Sequence, residues 1–174
     1  MDRAERIEAT RFLGREFLVW LWWQSEEKEG VLPLPGGEPC ELWLEEQLTL
    51  STDHLLERAE SKLKGGTPSL TPEAKEALRQ GKTPVRAKIR VSRGPQVWTF
   101  VFDADRFAIS GVQIPALVTE EGDERLYERM QLVEELEAML GGLFETFLRL
   151  RASPAWEREA LPAIRAWVRK NPFE

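Results

Sequence analysis

The sequence predicts an α+β fold: an antiparallel sheet of about five to seven strands, packed with a long N-terminal helix and a C-terminal helical hairpin. Three observations predict it. Proline-free helical stretches run from about Arg3 to Glu27 and from about Asp123 to Ala152, and the middle of the chain alternates apolar and polar residues with period two. Gly/Pro turn clusters punctuate that middle region. With 174 residues, 42% hydrophobic and 31% charged, residues 1–174 are expected to form a single domain around one core.

The first helix changes character along its length. Charges at Arg6, Glu8, Arg11, Arg15 and Glu16 give way to Phe17-Leu-Val-Trp-Leu-Trp-Trp, so its second half should pack on more than one side. Gly30 and the cluster Pro33, Pro35, Gly36, Gly37, Pro39 break the chain into turns. Cys40, Leu42 and Leu44, then Leu48 and Leu50, alternate with polar residues as two short antiparallel strands would. His54 to Lys64 fits either a helix or an exposed edge strand, and a strand from Glu57 onward is the preferred reading.

Thr71-Pro72-Glu73 reads as a helix start, with Thr as N-cap, Pro in the first turn and an acid beside it, and Gly81 closes that short helix. Val85, Ala87, Ile89 and Val91 alternate with Arg86, Lys88, Arg90 and Ser92. Beyond Gly94-Pro95, a second strand spans Val97 to Phe102, and a third follows Asp103-Ala-Asp through Phe107 and Ile109 toward Val112 and Ile114. In the long helix, Leu126, Val133, Leu136, Leu140, Leu143, Phe147 and Leu150 keep close to heptad spacing, with Gly141-Gly142 expected to kink it or admit another backbone. Ser153-Pro154 starts the last helical arm, Ala155 to Lys170, bent or broken at Leu161-Pro162.

A net charge of −6 argues against coating nucleic acid or anionic membrane with the whole surface. A single Cys40 fits a reducing cytosol, and the longest apolar run, Phe17 to Trp23, is too short to cross a bilayer. With no signal-peptide pattern after the polar start, a cytoplasmic protein without membrane contact is expected.

The patterns that carry chemistry are weak. Cys40 and His54 alone cannot make a zinc site, no nucleophile motif accompanies His54, and no Gly-rich phosphate loop is present. Asp103 and Asp105 are spaced to chelate a hard cation, but Asp is also a common turn residue. Asp53 followed by Glu60-Ser61-Lys62 matches the D…ExK arrangement of Mg²⁺ nucleases, a triplet that arises easily in a Glu- and Lys-rich chain. A non-enzymatic protein with no metal site and no cofactor is therefore the expectation.

The stronger signal is a basic hairpin. Between Glu76 and Asp103 there is no acid, while Arg79, Lys82, Arg86, Lys88, Arg90 and Arg93 all fall there. If Ser92 faces Val97, then Val91 meets Trp98, Ile89 meets Phe100 and Ala87 meets Phe102 on the buried face, and Arg90 and Lys88 lie beside Thr99 and Val101 on the other. Cations at alternate strand positions stand ~6–7 Å apart, close to the phosphate spacing of one nucleic-acid strand. Lys82, Arg86, Lys88, Arg90 and Arg93 are thus candidate phosphate contacts. The competing reading is a solvated sheet face whose charges are answered by Glu residues of a neighbouring element.

Glu76-Ala-Leu-Arg-Gln-Gly-Lys-Thr-Pro-Val-Arg-Ala-Lys-Ile-Arg-Val with Val97-Trp-Thr-Phe-Val-Phe resembles the helix, Gly-Lys and paired-strand region of the recombination-associated RdgC family. The run from Gly14 to Trp23, Glu41-Leu-Trp-Leu and Ser153-Pro-Ala-Trp are similar to short bacterial RdgC-like chains. The likeness spans most of this chain but only part of a full-length member. It implies a non-enzymatic, nucleoid-associated protein that binds duplex DNA nonspecifically, forms a ring-shaped homodimer and restrains a recombinase or another repair protein. On that resemblance, Lys82 is the Lys of the Gly-Lys step and Arg86, Lys88 and Arg90 lie on the strand after it. The alternative is a protein–protein interaction or dimerisation module without nucleic-acid binding, using the aromatic N-terminal helix or the Leu126 to Leu150 seam.

Overall fold

The computed structural model describes residues 3–52 and 59–170 and is α+β. Helix α1, Arg3–Glu27, carries the aromatic run into the core, where Phe17, Trp20 and Trp22 are all buried. Phe17 is the hub: its ring lies 5.9 Å from that of Phe102, 5.1 Å from Phe144 and 5.4 Å from Phe147, which ties α1 to the sheet and to the long helix that carries Phe144 and Phe147. Gly14 is where α1 comes closest to the sheet, since a Cβ there would run into the carbonyl oxygen of Ala104. The helix ends in a turn with Glu29 and Gly30 at positive φ, and Gly30 leaves room for the Trp43 indole.

Six strands among the described residues form one antiparallel sheet: β1 (Val31–Leu32), β2 (Cys40–Ser51), β3 (Glu60–Lys64), β4 (Thr83–Arg93), β5 (Gln96–Asp103) and β6 (Ala108–Gln113). The path is β1-β2-β4-β5-β6, and β3 pairs with the far half of β2 on the same side as β1. The β4–β5 register is the expected one, with Val91 on Trp98, Ile89 on Phe100, Ala87 on Phe102, Arg90 on Thr99 and Lys88 on Val101. Where two short strands were expected between Cys40 and Ser51, there is one of twelve residues. Glu46 adopts φ 59°, and the three residues between Leu44 and Leu48 oppose a single residue of β4, so the alternation slips without ending the strand. The bulge is held by Gly65 and Gly66 after β3, whose backbones bond the Glu46 carbonyl at 2.8 Å and its N–H at 2.9 Å. Asp53, His54 and the start of the strand expected from Glu57 lie outside the described residues, and β3 begins at Glu60.

Helix α2, Pro72–Arg79, starts as expected, with Thr71 capping it and Pro72 in its first turn. Helix α3, Gly122–Arg151, runs unbroken through Gly141-Gly142, where the absent side chain of Gly142 admits Pro35. Its heptad seam divides: Leu136, Leu143 and Phe147 are core, whereas Leu126 and Val133 are exposed. The last arm begins with a π turn, Trp156–Ala160, and continues as α4, Leu161–Arg169. Pro162 offers no N–H, so the ladder widens just before it.

All the helices lie on one face of the sheet, over Leu42, Leu44, Leu48, Leu50, Ala87, Ile89, Val91, Trp98, Phe100 and Phe102. The Trp98 indole donates to the Leu132 carbonyl at 2.9 Å and so fixes the height at which α3 crosses β5. Two glycines test this packing. Gly14→Ala should destabilise the fold by about 2–3 kcal/mol in denaturant unfolding, because the backbones cannot separate locally. Gly141→Ala, on an open helix surface, should stabilise it by about 0.5–1 kcal/mol.

Candidate functional site

The other face of the sheet carries no helix, and the register reads off its rows. Trp43, Arg90, Thr99 and Gln113 form one row. Lys88, Val101 and Ser110 form the next, with the β2 bulge at its end. Lys62, Thr49, Arg86, Asp103 and Ala108 form a third. Three of the five sequence-derived candidates, Arg86, Lys88 and Arg90, therefore share this open face. Lys82 sits before β4 and donates to Ser61 of β3 at 2.7 Å. Arg93 is one residue out of phase and turns to the helix side, where it pairs with Glu135 of α3 at 3.0 Å.

The acid-free stretch of sequence is not an acid-free face. The bulge on β2 delivers Glu46 to Lys88 and brings Glu45 to 3.8 Å from Arg90. Asp103 is the cross-strand neighbour of Arg86, and Glu41 accepts from Ser92 at 3.3 Å. Arg86 is the most exposed of the five and has no ion pair among the described residues. Lys62 flanks it across Thr49, and Lys64 pairs with Gln47 further along β3. In the sequence Lys62 stands out only as part of a nuclease triplet, because its place on this face follows from the β2–β3 pairing.

Asp103 and Asp105 are taken up by a turn and an ion pair, and Asp53 of the D…ExK pattern lies outside the described residues. Asp103 accepts from the Arg106 N–H at 3.0 Å, closing the β5–β6 turn. Asp105 is clamped by Arg15, whose Nε lies 2.6 Å away, and approached by Arg11 at 3.3 Å. Burial of Asp105 opposes ionisation, but the Arg15 hydrogen bond and the charges of Arg15 and Arg11 outweigh it and hold the carboxyl below its usual range. Glu60 lies 3.6 Å from Lys62, and no group of three or more potential metal ligands occurs among the described residues. Cys40 is buried, which raises its thiol to about 11 and leaves it unreactive.

A buried polar cluster joins α1, α2 and α4. Glu26 accepts from Trp22 Nε1 at 2.7 Å, Trp167 Nε1 at 2.6 Å and Lys75 Nζ at 2.7 Å. The Lys75 ammonium sits 3.4 Å from the centroid of the Trp167 ring. Every partner is satisfied and the lysine is 7% exposed, so the cluster acts as a clamp on the C-terminal arm. Burial lowers Lys75 to about 8, against the hydrogen bond and charge of Glu26.

The apolar surface is concentrated elsewhere. Of the eleven exposed large hydrophobics among the described residues, seven lie between Ile109 and Val133. Ile109 and Val112 are on β6, Val118 is 87% exposed in the connection, and Leu126, Tyr127, Met130 and Val133 are on the first half of α3. The connection is ordered: the Glu128 carboxylate accepts from the N–H groups of Val118 at 2.7 Å and Thr119 at 2.9 Å. Leu126, Met130 and Val133 lie at helical spacing in line with Leu140 and Phe144, which Phe17 and Phe107 help to cover. The first half of that stripe is bare.

No protein-family model, curated protein or solved structure matches this chain. Among the described residues, no helix is long and apolar enough to cross a membrane.

The Lys75 cluster makes a pH prediction. The unfolded chain holds the lysine proton up to about pH 10.4 and the folded chain releases it near 8, so the unfolded state binds more protons between these values. On its own this group should make stability rise by about 1–2 kcal/mol as pH goes from 8 to 10.4, against an opposing fall from the buried Cys40 thiol, which keeps in the fold a proton that the unfolded chain releases. Chemical denaturation of Lys75→Met should show that rise removed.

Proposed function

We propose that this chain is a non-catalytic protein–protein interaction module whose contact surface runs from β6 into the first half of α3. The observation that carries this reading is the bare apolar stripe of Leu126, Met130 and Val133 on α3, in line beyond Glu137 with the partly buried Leu140 and Phe144. Soluble domains rarely leave such surface contiguous without a partner. Leu126→Glu with Met130→Glu should abolish the concentration-dependent light scattering of the wild type and leave the melting temperature nearly unchanged. Leu136→Glu with Leu143→Glu should instead unfold the protein, each charge costing several kcal/mol in the core. Equal scattering by the wild type and the Leu126/Met130 variant would count against the reading.

A second reading, a nonspecific duplex-DNA accessory protein of recombination related to the RdgC family, rests on Arg86. That guanidinium lacks an ion pair among the described residues and stands beside Lys62 and Lys88 on a face without helices. The acidic partners set its strength. Exposed pairs such as Arg90 with Glu45 are worth only about 0.2–1 kcal/mol each, so phosphate can replace them, but each exchange weakens the gain. On this reading, Glu45→Gln with Glu46→Gln strengthens a salt-sensitive mobility shift on duplex DNA, and Arg86→Glu with Lys88→Glu removes it. No shift by either the wild type or the Gln variant at low salt would dismiss it.

A further inference from the structure

The edges of the sheet are not protected alike. On one side, β1 is two residues long and is followed at once by Pro33, and β3 carries Glu60, Lys62 and Lys64 in five residues. Short strands, charges, prolines and bulges are the devices that stop an edge from pairing with another chain. On the opposite side, β6 has six residues, Ala-Ile-Ser-Gly-Val-Gln, with no charge and no proline, and all six are exposed; its one such device is a bulge, where Gly111 and Val112 together oppose Phe100 of β5. The core also runs out there unfinished. Leu48, Ala87, Phe102 and Ile109 form one row of the covered face, and the first three are buried while Ile109 is 37% exposed.

We propose that β6 pairs antiparallel, edge to edge, with β6 of a second copy of this chain, centred near Ser110 and Gly111, joining the two sheets into one. The proposal rests on the interaction-module reading above and names its partner. A second copy fits for two reasons. An antiparallel two-fold contact uses the same strand from both chains and closes, leaving no further edge to extend. Head-to-tail stacking of β6 on the opposite edge of another copy meets the short β1 and the charged β3. Pairing brings backbone partners to the outward N–H and C=O groups of β6 and covers Ile109 with the neighbouring copy. Gly111, at φ 59°, bends the strand at its centre and limits how far the pairing extends.

Sedimentation velocity at about 100 µM, well above a micromolar dissociation constant, tests this on the full chain. The wild type should sediment as a dimer, and Ile109→Lys with Val112→Lys as a monomer with an unchanged circular dichroism spectrum. As a gain-of-signal check, Ser110→Cys should form an intermolecular disulfide under mild oxidation, whereas the buried Cys40 of the wild type should not. A monomeric wild type, or failure of Ser110→Cys to cross-link, overturns the proposal. A dimer that survives the β6 charges but dissociates with Leu126→Glu and Met130→Glu also overturns it, while leaving the interaction-module reading intact. A wild-type monomer that binds an extended peptide along β6 would assign the edge to a foreign strand.

Discussion

A sheet covered on one face only places a constraint on every other part of this molecule. Apart from residues such as Trp43 and Val101, the large apolar side chains of β2, β4 and β5 point one way, and the helices must supply enough surface to cover them. The aromatic half of α1 does so from the middle, with Phe17 touching the sheet and α3 at once. Close approach at Gly14 and the clamp of Glu26 on Lys75 and two indoles fix how that helix lies. Because α1 is packed on several sides, α3 is left to cross near the β4–β5 end of the sheet, and its first turns extend past what they can bury.

The uncovered face obeys a different rule. Its cations on β4 could gather only if acids were kept away, and the bulge at Glu46 does the opposite by bringing Glu45 and Glu46 against Arg90 and Lys88. With Lys88 and Arg90 matched by acids and only Arg86 of these three left without an ion pair among the described residues, the face suits solvent and binds a single-sign polymer less strongly. Unanswered apolar surface is found instead at Ile109 and Val112 of the uncharged β6 edge and at Leu126, Met130 and Val133 on the first half of α3. That contrast is the reason the proposed partner is a protein surface and not phosphate.

Much of the fold was legible because local patterns and tertiary demands agreed. Alternation through Val85 to Val91 and Val97 to Phe102 allowed one pairing that put Trp98, Phe100 and Phe102 in the core, and that register is the one observed. The Thr71-Pro72 cap likewise needs only neighbouring residues. What could not be read depended on distant backbone. The β2 bulge is pinned by Gly65 and Gly66, so the strand looked like two. The acids facing Lys88 and Arg90 come from a strand about forty residues away, so an acid-free stretch looked like an acid-free face. The heptad in α3 showed that the helix was apolar over a wide arc, but only packing decided that Leu136 and Leu143 are core and Leu126 and Val133 are not. The open edge had a signal, the uncharged run Ala108 to Gln113, whose meaning required knowing that this strand is last in the sheet.

Amide hydrogen exchange across Ala108 to Gln113 tests the central claim most directly, because alternate backbone groups of an edge strand point away from its only neighbour. If β6 pairs with a second copy, its outward amides will exchange slowly at high protein concentration and rapidly on dilution, while the amides of β4 stay protected throughout. Rapid exchange of those outward amides at every concentration would contradict it.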